Sequence, residues 1–314
     1  AADKSPSIRP DGPLPASFVT LLSETVLGFD KSSVESIALG TWVCIAPDDP
    51  AVAAAIEPLV NWRKRQGYNV LSVTTSEAGA TASAIKFYLA NLYQSLKIPL
   101  EMVCLVGDAD GAVALPTWEE SLSGYNGEGD HPYTQLDGGD VLADVHLGRL
   151  SALDTTQLTT IVDKIVKYES DPHLSNDTDW FLRAGLTGDP ASSGYSTIWV
   201  NQWVKEQLQE MNYVKIDTIW GGNFASLMTA TITAGESLFT YRGYWHMSGM
   251  TTGHIDALSN QQKLPYAVIL TCDTGSFLSD PTCRSEAFLR AANGGGVGSI
   301  GTATIGTHTR YNNS

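Results

Sequence analysis

Residues 264–290, LPYAVILTCDTGSFLSDPTCRSEAFLR, put a thiol where chemistry can use one. The apolar run Tyr266–Leu270 stops at Thr271-Cys272, and Asp273-Thr274-Gly275-Ser276 cannot prolong it. A short apolar run bounded by turn residues reads as a fully buried parallel strand. In open α/β sheets, reacting groups gather just beyond the carboxyl ends of the strands. Cys272 is delivered to such an end, and Gly275 is expected to leave the backbone N–H groups after it open to a substrate. A thiol with a free pKa of about 8.5 is mostly protonated at neutral pH. It therefore needs a neighbouring base, and donors to hold a developing oxyanion. The competing reading is a core cysteine, because unbridged Cys is among the most buried residue types.

The elements that must position Cys272 form a regular alternation. Residues 1–37 are a lead-in with a short helix at 16–28. Strands are expected at 41–46, 69–74 and 101–107, with helices at 50–66 and 81–96 between them. Such alternation implies right-handed crossovers and a parallel sheet. The Gly- and Asp-rich stretch 109–150 breaks the rhythm, and Leu136-Asp137-Gly138-Gly139 reads as a turn between short strands. Residues 154–169 form an amphipathic helix with Leu158, Ile161, Ile165 and Tyr168 on one face. Glu169-Ser170-Asp171-Pro172 ends it and marks a boundary between subdomains 38–171 and 172–314. The second half repeats the pattern, with strands at 181–187, 215–219, 239–242, 264–271 and 297–304 and helices at 196–211, 224–234 and 284–292.

Composition narrows the function classes. The 314 residues are 43% hydrophobic and 17% charged, with net charge −15. That acidity argues against nucleic acid or an anionic membrane surface as partner. No apolar run approaches the ~18 residues of a membrane span. The start, AADKSPSIRPDGPLPAS, reads as the processed terminus of an exported protein after signal-peptide removal. Four cysteines, at 44, 104, 272 and 283, lack the paired spacing of a zinc site. Cys44 and Cys104 lie in apolar strands and read as core thiols. A Cys272–Cys283 bridge is the direct rival to a reactive Cys272. The glycine loops lack a P-loop or G-x-G-x-x-G arrangement at a strand–helix junction, so a nucleotide-binding reading is set aside.

The chain resembles the gingipain family of cysteine peptidases from about residue 40. The resemblance runs through PLVNWRKRQGYNV, EMVCLVGDAD, HPYTQLDGGDVLADVHLGRLSA, KIVKYE, FTYRG, LPYAVILTCDTGSF, SEAFLRA and GGVGSIGTAT, in that order. It implies a caspase-like α/β fold of two αβα half-sheets with mostly parallel strands. It also implies a bacterial, secreted or cell-surface enzyme with Cys272 as nucleophile, a polypeptide as substrate, and no required cofactor. The family places its base in a Gly-His-Gly, whereas this strand reads Tyr241-Arg242-Gly243-Tyr244-Trp245-His246. Tyr244 occupies the histidine position, and a phenol with pKa about 10 is a poor base at neutral pH. His246 is the first candidate to replace it, His308 the second, and His254 a weaker third.

Other roles are also implied by the resemblance. Asp189, at the end of LTGD, matches a carboxylate that orients the catalytic histidine and would stabilise the imidazolium. The backbone amides of Gly243 and Cys272 would form the oxyanion hole. Thr197 stands where the arginine-cleaving members carry an acidic residue. With Tyr195, Tyr244 and Trp245, and with Trp199 and His308 nearby, it would line a pocket for an apolar or aromatic side chain. Glu286 reads as structural. Asp130, Asp137 and Asp140 lie in an acidic loop that would hold a structural calcium ion. The family's domain continues beyond the equivalent of Ser314, so a C-terminal fragment of the chain's own precursor is an expected partner. The altered Gly-His pair supports an alternative, a catalytically inactive scaffold acting as a surface or assembly module.

Overall fold

The computed structural model of the chain describes residues 12–122, 125–278 and 282–303. They fall into two units. One runs up to Trp118 and takes in Gly129–Thr155; the other comprises Glu119–Glu128 and the chain from Thr156 onward.

The first unit is built on a parallel sheet of β1 (Thr41–Ala46), β2 (Asn69–Thr74), β3 (Leu100–Val106) and β4 (His146–Leu150), in the order β2-β1-β3-β4. Every residue of β1 is buried, as expected for a central parallel strand. Helix α1 (Pro50–Gln66) begins at Asp49, whose carboxylate accepts the Ala51 N–H at 2.6 Å, with Pro50 at the first helical position. It ends at Gly67, which has φ 101°. Helix α2 (Ala82–Ser95) buries Ile85, Leu89 and Tyr93 in the cluster formed with Val43, Val103 and Leu105. Arg149 is clamped by Asp130 at 2.7 Å and donates to the carbonyls of Gly107, Leu115 and Pro116.

Two expectations in the middle of the chain need correction. Leu136–Gly139 does not join two strands. The N–H groups of Leu136 and Asp137 donate to the Asp144 carboxylate at 2.7 and 2.9 Å, so that side chain takes the place of a ladder. The short strands are Trp118–Leu122 and Tyr125–Gly129, which pair with each other. The subdomain boundary also falls earlier than Glu169-Pro172, because helix α3 (Thr155–Ser170) packs with the second half of the chain. Its Lys164 Nζ donates to the carbonyls of Phe288, Leu289 and Ala291 at 2.9, 3.0 and 3.2 Å, satisfying acceptors that a helix C-terminus leaves open.

The second unit carries a five-stranded parallel sheet. Its strands are β5 (Arg183–Gly188), β6 (Lys215–Ile219), β7 (Leu238–Arg242), β8 (Tyr266–Leu270) and β9 (Gly298–Gly301), in the order β6-β5-β7-β8-β9. Register sets Arg242 opposite both Gly188 and Leu270. Alternation along the strands sends successive side chains to opposite faces. Phe239, Tyr241, Ala267 and Ile269 pack with Met228 and Ile232 of α5 (Phe224–Ala234) and Phe288 of α6 (Arg284–Arg290). Ala184 and Leu186 pack with Leu208 of α4 (Ser196–Glu210). No helix among the described residues is long and apolar enough to cross a membrane.

Glu236, between α5 and β7, is 2% exposed, and its Oε1 has no hydrogen-bond partner among the described residues. Its carboxyl lies against Gly185, where a Cβ would come 2.6 Å from Oε2. Burial first, then the charge of Asp217, push its pKa well above the ordinary 4.5, with Lys215 opposing. A raised carboxyl pKa contributes stability that is complete below the unfolded value and is lost as pH rises through the folded one. Glu236→Gln keeps the shape and does not titrate. The urea midpoint of the wild type is therefore expected to fall, relative to that of the variant, as pH rises from 4.5. A difference between the two proteins that stays constant with pH rules out a buried neutral acid.

Candidate functional site

Cys272 is half-buried two residues past the end of β8, while Cys44, Cys104 and Cys283 are buried and none of the four is in a disulfide. The rival bridge to Cys283 is thus not formed. Cys283 caps α6 instead. Its N–H donates to the Glu286 carboxylate at 2.8 Å, and Glu286 pairs with Arg290 at 2.7 Å, the structural role expected of it. Burial pushes the Cys283 thiol far up, so it stays protonated.

The turn carrying Cys272 is pinned on several sides. Asp273 takes a left-handed φ of 63°. Thr274 Oγ1 donates to the carbonyls of Ile269 and Thr271 at 3.2 and 2.9 Å, and Ser285 Oγ donates to the Thr274 carbonyl at 2.8 Å. Gly275 N–H donates to Thr302 O at 3.0 Å. Gly275 therefore does not open the turn to a substrate, contrary to expectation. It lets the turn lie against the end of β9, where a Cβ would meet Gly301 carbonyl carbon at 2.7 Å.

Gly243 follows β7 as Cys272 follows β8, so the parallel register brings the two expected oxyanion donors to neighbouring strand ends. A side chain at Gly243 is excluded, because a Cβ would lie 2.4 Å from Tyr241 Oη and 3.1 Å from Asp189 Cβ. Beside it, Arg242 is 2% exposed, and burial lowers its pKa.

Asp189 lies at the end of β5, 8% exposed, with its N–H donating to Arg242 O at 2.9 Å. Its carboxylate meets no imidazole among the described residues. Oδ1 accepts the Ala191 N–H at 2.8 Å, and Oδ2 accepts a short hydrogen bond from Ser248 Oγ. Ser248 Oγ is 2.7 Å from Tyr241 Oη, which also donates to Tyr244 O at 3.1 Å. Burial pushes the Tyr241 pKa up, so the phenol stays protonated, although the Ser248 bond acts the other way.

The candidate bases differ in their surroundings. His246 is exposed, stacked on Trp245 with ring centroids 4.9 Å apart, and its Nδ1 lies 3.4 Å from Arg284 Nη2. It belongs to the run His246-Met247-Ser248, with φ of 62°, 46° and 50°. Three consecutive left-handed non-glycine residues cost about 1–2 kcal/mol each. Such a backbone persists only where its surroundings over-determine it. His254 accepts from Thr251 N–H and closes the capping box of the Thr252–Asp256 helix, which is a structural role. His308 lies outside the described residues. Tyr244, 52% exposed, stands beside Gly243.

The pocket residues divide. Tyr195 and Trp199 are exposed, at 67% and 65%. Thr197 is fully buried, with Oγ1 donating to Gly194 O at 3.0 Å, so it lines no accessible surface. It turns inward because the first turn of α4 packs on Gly188, where a Cβ would meet Thr197 O at 2.8 Å. The acidic loop does not assemble as expected either. Asp130 is engaged by Arg149 and Thr117, Asp137 accepts from Gly138 N–H, and Asp140 from Leu142 N–H. No group of three metal-ligating side chains occurs among the described residues. Sequence reasoning missed Ser248, Tyr241 and Arg284; Asp189 lies 59 residues from Ser248 and His246 lies 38 from Arg284, and Tyr241 meets Ser248 only through the left-handed turn between them.

The model of peptidase family C25 matches residues 40–314. Gingipain R2 of Porphyromonas gingivalis (strain ATCC BAA-308 / W83) is 26% identical over 253 residues, 76% of this chain and 33% of that one. Lys-gingipain W83 of Porphyromonas gingivalis is 25% identical over 268 residues, 79% of this chain and 15% of that one. The chain thus spans a third or less of the length of these relatives. The Arg-specific cysteine proteinase gingipain R superposes with a TM-score of 0.71 at 25% identity, over 84% of this chain and 61% of that one. The complex of Porphyromonas gingivalis RgpB pro- and mature domains gives 0.71 at 25%, over 84% and 62%. The expected caspase-like α/β architecture is the one observed, and the chain belongs to peptidase family C25, the cysteine peptidase family of the gingipains.

Proposed function

We propose that this chain is a secreted bacterial cysteine endopeptidase that hydrolyses peptide bonds through the Cys272 thiolate. The observation that carries the reading is the half-exposed thiol at the end of β8, fixed by its turn, while the other three cysteines are sealed in the interior. Cys272 Sγ attacks the scissile carbonyl carbon. The backbone N–H groups of Gly243 and Cys272 hold the oxyanion in the tetrahedral intermediate. His246, the imidazole in the loop that follows β7, takes the thiol proton and returns it to the leaving amine. Exposed Tyr195, Tyr244 and Trp199 offer flat apolar surface to the substrate side chain. A further segment of the precursor is proposed as a bound partner, in the way the RgpB pro-domain complex shows for that protein.

A second reading, an inactive gingipain-like scaffold, is favoured by one specific observation. The described conformation gives the Asp189 carboxylate to Ser248 and sets Arg284 against His246, so among the described residues the Asp189 carboxylate orients no imidazole.

Iodoacetamide is expected to label Cys272 before the other thiols, and Cys272→Ala is expected to abolish cleavage of a broad peptide library. Undiminished cleavage by that variant sinks the peptidase reading, and a wild type that neither cleaves nor labels supports the scaffold. Gly243→Ala is expected to cost about 1–3 kcal/mol in stability through overpacking against Tyr241 and Asp189. By displacing an oxyanion donor it is also expected to lower kcat about 100-fold. Denaturant melts and steady-state kinetics read the two effects separately, and an unchanged kcat removes Gly243 from the oxyanion hole.

A further inference from the structure

The strained turn after β7 is held by two contacts of different kinds. Met247 is fully buried among Tyr241, Phe239 and Ile269, which anchors the middle of the turn in the core. Ser248 lies between Asp189 Oδ2 and Tyr241 Oη, which anchors its far end at the candidate site. With Ala191 N–H on Oδ1, both oxygens of the one carboxylate at the end of β5 are engaged. His246, two residues before Ser248, is turned to Trp245 and to the Arg284 guanidinium, which also donates to Met250 O at 3.0 Å.

We propose that Ser248 is a latch. Its hydroxyl occupies the carboxylate that an active imidazole needs, and the left-handed His246-Met247-Ser248 turn is the strained, resting form of the base-bearing loop. Release of Ser248 lets the turn relax, frees Asp189 Oδ2 to accept from the His246 ring, and turns that ring from Arg284 toward the thiol. The inference rests on the reading of Cys272 and His246 as nucleophile and base, and it deepens that reading by giving it a resting state. It also removes the conflict between a well-presented thiol and an imidazole that no carboxylate orients. Ser248 is a positioning residue here, acting through Asp189.

The test compares wild type, Ser248→Ala and the double variant Ser248→Ala/Asp189→Asn. The His246 ring is followed by NMR titration, assigned through His246→Gln, and Cys272 by its iodoacetamide rate at pH 6.5. Loss of a hydrogen bond to a charged group is expected to shift the balance by about tenfold or more. Ser248→Ala should therefore raise the His246 titration midpoint by about one pH unit. It should speed Cys272 alkylation by a similar factor, and the double variant should cancel both gains. Ser248→Gly, which suits a positive φ, should behave in the same way and serves if the alanine variant folds poorly. A His246 midpoint unmoved in both single variants, or a shift that survives Asp189→Asn, overturns the latch. An Asp189-dependent shift with no gain in alkylation leaves the latch standing and removes His246 as the base.

Discussion

The structure turns on the parallel register of β7 and β8. Arg242 is level with Leu270, so Gly243, the first residue beyond β7, and Cys272, the second beyond β8, both emerge at one rim of the sheet. Parallel strands have their crossovers on the faces, which leaves their carboxyl ends clear for a site. A one-residue slip of either strand would send its inward residue, Tyr241 or Ile269, out of the cluster with Phe288 and would shift Gly243 along the rim relative to Cys272. The register that buries the core is thus the same one that assembles the candidate site.

Around that rim the polar groups are divided by function. Thr274, Ser285 and Thr302 spend their hydrogen bonds on fixing the Cys272 turn. Asp189, Ser248 and Tyr241 form a separate set under Gly243. The first set leaves the nucleophile little freedom. The second joins a carboxylate to a hydroxyl across a strained turn, an arrangement with a relaxed alternative close at hand. The Cys272 turn is therefore held independently of the loop that follows β7.

Legibility in the sequence followed the range of each interaction. Strand β1, helix α1 and strand β6 have the expected limits, because apolar runs, the Asp49-Pro50 start and the Gly67 stop are written in adjacent residues. Cys272 was legible because a strand end and a turn flank it. The glycine after it was misread: Gly275 serves close packing on Gly301, a contact with another strand that no local pattern records. Thr197 was misread for a like reason, since its inward turn depends on Gly188. Ser248 was invisible, as its partner Asp189 lies 59 residues away and its positive φ belongs to no turn motif. The resemblance implied a cation site at Asp130, Asp137 and Asp140, but Asp130 is committed to Arg149 and the other two to neighbouring backbone N–H groups.

The close approach of Gly275 to Gly301 has a consequence for how such a chain can diverge. Two backbones in contact leave no room for a side chain at either position, so the segment bearing sulfur is locked by sterics. At Gly249, in the loop after β7, space sets no such limit, since a Cβ meets nothing nearer than 4.0 Å, but its φ of 89° disfavours a side chain all the same. Sterics thus fix the turn that carries sulfur, whereas at the end of the loop after β7 the constraint on a side chain is backbone conformation.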